Sequence, residues 1–182
     1  DARQQTADYL DDPGFVSKIG NHLAAYGDGW FEETRPGYWR DQFGIVWNRT
    51  VDKDIGIVDQ YLIPDPDVST YQFPEPDLAR NAAGLEGLVA EHPNKFRVAQ
   101  IGFSMFERAW TLRSMTELLM DMIVNPSFVH SLMDRILEYN MAAIDQMLEY
   151  DVDCIYFGDD WGQQQGLIMG PKLWRTFIKP RV

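Results

Sequence analysis

Apolar positions along the chain fall into blocks of different period. Asp12-Pro13 sets a helix-capping residue before a proline suited to the first helical position, and Phe15, Val16, Ile19, Leu23 and Tyr26 follow at helical spacing up to Gly27. That spacing predicts a helix. Residues 28–40 place Trp30, Phe31, Tyr38 and Trp39 among glycine and proline and read as an aromatic loop with short structured pieces. Residues 42–51 and 55–63 are rich in Val, Ile, Trp, Tyr and Thr; the Asp52-Lys53-Asp54 break between them predicts a hairpin with a tight polar turn.

Pro64-Asp65-Pro66-Asp67 and Pro74-Glu75-Pro76-Asp77 hold the backbone extended, after which Leu78, Ala82, Leu85, Leu88 and Val89 form one helical stripe. Residues 95–103, with Phe96, Val98, Ile101 and Phe103, predict a strand, and Ser114-Met115-Thr116-Glu117 is a capping box opening a helix. Asn125-Pro126 begins the clearest helix, whose apolar face runs from Val129 through Leu132, Ile136 and Ala143 to Leu148. Val152-Asp153-Cys154-Ile155-Tyr156-Phe157 then suits a buried parallel strand, and a further helix starts near Pro171. Strand, helix, strand and helix in alternation predict an α/β fold of βα units on a parallel sheet, with chemistry at the C-terminal ends of its strands. Residues 1–75 group as helix, loops and hairpin, and residues 76–182 as the βα units of the same domain.

Composition narrows the function. The chain has 182 residues, 45% of them hydrophobic and 24% charged, which excludes an intrinsically disordered segment. With 28 acidic and 16 basic residues the net charge is −12 and no Lys/Arg cluster breaks it, so nucleic acid and anionic membranes are poor partners. No run of about 18 apolar residues predicts a membrane span, and the N-terminus lacks the apolar core of a signal peptide. A single cysteine, Cys154, leaves no internal disulfide and no thiolate metal site, which fits the cytoplasm. The chain opens without Met and stops directly after a predicted helix, as a piece of a longer protein would.

The strongest local candidate for chemistry is Gly158-Asp159-Asp160-Trp161-Gly162-Gln163-Gln164-Gln165-Gly166. Adjacent carboxylates after a buried strand repel each other, and a proton, a cation or a substrate N–H would relieve them. A solvated loop with Asp160 capping a turn is the competing reading. Ser104, Glu107 and Arg108, after the earlier strand, could face the same mouth, with Arg108 holding a substrate carboxylate. Against that, Glu107 and Arg108 could pair with each other or with solvent while Phe103, Phe106 and Trp110 serve the core. Asp41, ahead of the hairpin, is a third and weaker candidate, more often a turn former. His22 and His130 fall in predicted helices and His92 at a helix end, none with a partner at ligand spacing, and Cys154 reads as a small buried hydrophobe.

Asp41-Gln42-Phe43-Gly44-Ile45-Val46-Trp47, Gly102-Phe103-Ser104-Met105-Phe106-Glu107-Arg108-Ala109-Trp110, and above all Tyr156-Phe157-Gly158-Asp159-Asp160-Trp161-Gly162 followed by Pro171-Lys172-Leu173-Trp174 and Pro180-Arg181, resemble the uroporphyrinogen decarboxylase superfamily. They most resemble its branch of corrinoid-dependent methyltransferases and related paralogues. The resemblance implies a (β/α)8 TIM barrel; because a full barrel takes about 250 residues, the chain would cover only its N-terminal elaboration and roughly its first half.

It also implies two chemistries and a third role. Family methyltransferases use a zinc-bound thiolate acceptor, with ligands in the second half of the barrel, so zinc would be held by residues beyond this chain. A corrinoid would then be a substrate, free or on a corrinoid protein. Family decarboxylases need no cofactor; they grip a tetrapyrrole's acidic side chains with N-terminal arginines, a motif not recognisable here, and use an essential aspartate. Methyl transfer to a thiol is thus the first expectation, decarboxylation of uroporphyrinogen the alternative, and a non-catalytic tetrapyrrole- or corrinoid-binding paralogue the third. On these readings Asp159, Asp160 and Asp41 are the catalytic candidates. Ser104, Phe106, Arg108, Trp161 and Gln163 would bind substrate, and homo-oligomerisation is open.

Overall fold

A four-stranded antiparallel sheet and a proline-framed linker separate the first strand of a parallel sheet from its other two. In the computed structural model, residues 2–15 and 22–182 are described. The first elements are α1 (Ala2–Tyr9), β1 (Leu23–Gly27), β2 (Phe31–Arg35), β3 (Tyr38–Asp41), β4 (Val46–Asn48) and β5 (Ile57–Val58). They are followed by α2 (Leu78–Glu91), β6 (Phe96–Ile101), α3 (Phe106–Arg113), α4 (Met115–Val124) and α5 (Pro126–Met147). The last are β7 (Cys154–Phe157), β8 (Gly162–Gln163), β9 (Gly166–Leu167) and α6 (Gly170–Leu173), which continues as irregular helical turns to Arg181.

The central sheet has three parallel strands in the order β1-β6-β7, with Ala25 opposite Val98 and Ala99 opposite Ile155. Helices α2 and α5 pack on it through Leu85, Ala99, Ile101, Ala143 and Met147, all buried. The contact is close enough that a Cβ on Gly84 would lie 1.9 Å from the Tyr26 ring. A larger core, centred on Trp47, Ile63, Phe106, Leu112 and Leu132, joins the antiparallel sheet to α3, α4 and α5. The architecture is mixed α/β, a parallel sheet flanked by helices, as in part of a barrel; the described strands form three open sheets, of three, four and two strands.

The long helix begins at Pro126 as its pattern predicts, burying Val129, Leu132, Met133, Ile136 and Ala143 at helical spacing. Ser114 caps α4 by accepting the Glu117 N–H at 3.2 Å, and Asp77 caps α2 by accepting that of Arg80 at 3.0 Å. The helix expected to run on to Gly27 is corrected: Leu23–Gly27 is strand β1, and His22, expected inside that helix, accepts a backbone bond from Phe96 instead. Leu23 and Tyr26 share helical spacing by coincidence, since five residues are too few to separate the two periods and pairing with β6 decides the matter. Val16 and Ile19 of the same expectation lie outside the described residues.

The aromatic loop is likewise corrected to strands β2 and β3, joined through Gly37 at φ 77°. In the expected hairpin, β4 and β5 do pair, Trp47 opposite Val58, but the strands are shorter and residues 49–56 replace the tight turn. Among the described residues no helix is long and apolar enough to cross a membrane.

Candidate functional site

The three parallel strands end together at Gly27, Ile101 and Phe157. Beyond them opens a cleft of about 280 Å³, walled by Phe31, Gln42, Gln100, Phe103, Arg108 and Tyr156. Arg108 reaches it from the first turn of α3, and its Nη1 donates to Asp41 Oδ2 at 2.6 Å, with the two side chains only 3% and 2% exposed. Its guanidinium lies 4.1 Å from the Phe43 ring centre. Asp41 also accepts the backbone N–H groups of Phe43 and Ile45, at 2.9 and 3.0 Å, and the Trp47 indole at 3.2 Å. It is both the turn former its sequence context suggests and the partner of a buried cation.

Asp28 stands between Gly27 and Gly29, two residues that line this cleft. Its backbone N–H donates to Gln100 at 3.2 Å, tying the loop to β6. The side chain is buried, and among the described residues neither carboxylate oxygen has a hydrogen-bond partner. Burial pushes its carboxyl up to about 6, against the positive charge of Arg108. Sequence reasoning missed Asp28 because it was absorbed into the aromatic segment; an acid between two glycines just after a strand was the available signal.

The expected sites divide between two places. Asp159 and Ser104 line a second, mainly apolar cavity of about 370 Å³ with Met105, Asn140, Phe157 and Trp161. Asp159 accepts the N–H groups of Phe106 and Glu107, at 2.9 and 2.7 Å, and the Trp161 indole N–H. Burial raises its pKa, and those hydrogen bonds lower it. The Ser104 carbonyl accepts from Asn140 Nδ2 at 2.5 Å, and its buried Oγ has no partner. Asp160 and Gln163 are exposed and line neither cavity, with Gln163 in the small β8–β9 hairpin. Phe106, expected as a wall, is fully buried in the large core because the inner face of α3 packs there. Arg108 lines the other cleft, so the shared mouth expected for Ser104, Arg108 and the two aspartates is not formed. Glu107 does not pair with Arg108; burial first, then Asp160 and Asp159, push its carboxyl up to about 7.

Among the described residues no group of three or more His, Cys, Asp or Glu side chains could hold a metal ion. His92 follows α2 as its C-cap, His130 in α5 stacks on Phe177 at 4.7 Å, and Cys154 is partly exposed in β7.

No curated protein and no solved structure matches the chain. The family described as uroporphyrinogen decarboxylase (URO-D) matches it over residues 52–182, a span that takes in β6, β7 and the helices packed on them. The chain therefore belongs to the uroporphyrinogen decarboxylase family.

Proposed function

We propose that this chain is part of a URO-D superfamily enzyme that transfers a methyl group from a small methylated substrate or a corrinoid to a thiol. The reading rests on one observation: Arg108, the only cation among the residues lining the cleft, is already neutralised by Asp41 in a buried pair. With Asp28 beside it, the group of three carries one net negative charge whenever Asp28 is ionised. A tetrapyrrole bearing many carboxylates would meet repulsion there, whereas a neutral or cationic methylated compound would not.

In this reading Phe31, Phe103 and Tyr156 give the methyl group an apolar wall, and Gln42 and Gln100 orient its polar neighbour. Asp28, buried behind the Gly27 and Gly29 wall, acts through its charge on Arg108 rather than by touching the substrate. Overall, the methyl–donor bond breaks and a carbon–sulfur bond forms; the thiol's proton ends on the leaving atom of a small methylated substrate, or in solvent where the donor is a methyl-corrinoid, whose cobalt keeps the electron pair of the broken bond. The described residues do not form a zinc site, so the zinc that activates a thiol in the family's methyltransferases would be held outside them. A corrinoid, free or on a partner protein in the cytoplasm, would be the methyl source.

The test is to incubate the purified protein with methylcobalamin and a simple alkanethiol. Loss of the methyl-corrinoid spectrum with matching thioether is the expected result. Conversion of uroporphyrinogen to coproporphyrinogen would overturn it in favour of decarboxylation. Corrinoid binding without turnover in either assay would overturn it in favour of a binding paralogue.

A further inference from the structure

An acid in the loop after β7 closes a helix that begins 53 residues earlier. Helix α3 has no cap of its own: Met105, at the N-cap position, has φ −133° and ψ −76° and makes no side-chain cap bond. The first N–H groups of a helix have no partner within it, and here those of Phe106 and Glu107 go to the two oxygens of Asp159. Ser104 N donates to the Gly158 carbonyl at 3.0 Å, so the loop before α3 and the loop after β7 are joined at two successive points. A carboxylate there also meets the positive end of the helix's backbone dipoles. Still within this first turn is Arg108, whose guanidinium enters the cleft and holds Asp41.

We propose that Asp159 is a positioning residue for the cleft: by closing the N-terminus of α3 it fixes where Arg108 stands, and through Arg108 the Asp41 turn. Asp159 lines the other cavity, but its oxygens are taken by three donors, so its effect on the cleft passes through the helix. The inference takes the cleft as the reaction site, yet its test reads the cleft without any substrate.

Asp28 reports where Arg108 is. The guanidinium lowers the pH at which Asp28 ionises, and Asp28 in turn helps to raise Tyr139 of α5 and Tyr26 of β1, the other titratable groups coupled to it. Carboxyl 13C NMR of aspartate-labelled protein follows Asp28 in the wild type, in Asp159→Asn, and in Met147→Ala. The last opens a cavity in the other core and serves as the control for general destabilisation. In Asp159→Asn the Asp28 midpoint is expected to rise by about one pH unit, in Met147→Ala to stay, and in an Arg108→Met background to respond no further to Asp159→Asn.

A folded Asp159→Asn whose Asp28 midpoint matches the wild type would overturn the proposal. If Asp159→Asn does not fold, Asp159→Glu, which keeps both oxygens one methylene further out, is read instead: a smaller rise supports positioning and an unmoved midpoint overturns it. A titration that shifts as expected in a protein that transfers no methyl group would sink the reaction reading and leave the positioning role standing.

Discussion

Arg108 and Asp41, 67 residues apart in the chain, meet at 2.6 Å with both side chains almost sealed from solvent. Removing one partner leaves the other charge buried without compensation. Asp41→Asn is therefore expected to lower stability by about 3–5 kcal/mol in urea denaturation, and Asp41→Asn with Arg108→Met by less than the sum of the two. Additive losses would mean that the pair does not act as a unit.

Asp28 gives the fold a pH dependence of unusual sign. Its carboxyl is raised from 3.8 to about 6, so its contribution to stability is complete below pH 3.8 and is lost as pH rises through 6. Asp28→Asn should remove that slope and raise stability at pH 8 by about 2–3 kcal/mol, while reducing turnover if the cleft is the site. Melting temperatures at pH 5 and pH 8 for both proteins check this; an Asp28→Asn protein less stable than wild type at pH 8 would contradict the burial argument.

Glu107 acts in the same direction higher up the scale. Burial, then Asp160 and Asp159, raise it from 4.5 to about 7, so stability falls as pH climbs between those values. The group is only partly buried and its effect is smaller than that of Asp28. Glu107→Gln should flatten the stability profile between pH 5 and pH 7.5, read as the difference in urea midpoint.

Gly84 is a position where a methyl group does not fit. A Cβ there would lie 1.9 Å from the Tyr26 ring, so α2 or the ring must move. Gly84→Ala is expected to cost about 1–3 kcal/mol. Adding Tyr26→Leu, which takes the ring away, should return part of it; a Gly84→Ala protein as stable as wild type would show that the helix does not press on β1 this closely.

Ser114 combines a cap with strain, since it holds the Glu117 N–H while sitting at φ 80°. Ser114→Ala loses the cap and keeps the strain, a loss of about 1 kcal/mol. Ser114→Gly loses the cap but relieves the backbone, and should melt above Ser114→Ala.

Much of the helical framework was legible because its signals are local. Asn125-Pro126, the Ser114–Glu117 box and the stripe from Leu78 to Val89 each lie within one element, and each element forms there. Strands β1, β2 and β3 were missed for the opposite reason. Leu23-Ala24-Ala25-Tyr26-Gly27 is a strand because Phe96–Ile101 lies beside it, and Phe31–Arg35, exposed along its length, shows no alternation to read.

The same division holds for the site. The motifs around Asp41, Arg108 and Asp159 could be picked out one by one from residue type, and the family could be named from them. Which groups meet was beyond the sequence: Arg108 goes to Asp41 and not to Glu107, Asp159 closes a helix, and Asp28 is left buried without a partner. Caps and stripes are written within a few residues of one another, so the chain alone decides them. An ion pair across 67 residues, or the desolvation of one carboxyl, exists only after the sheet has brought distant segments together and excluded water between them.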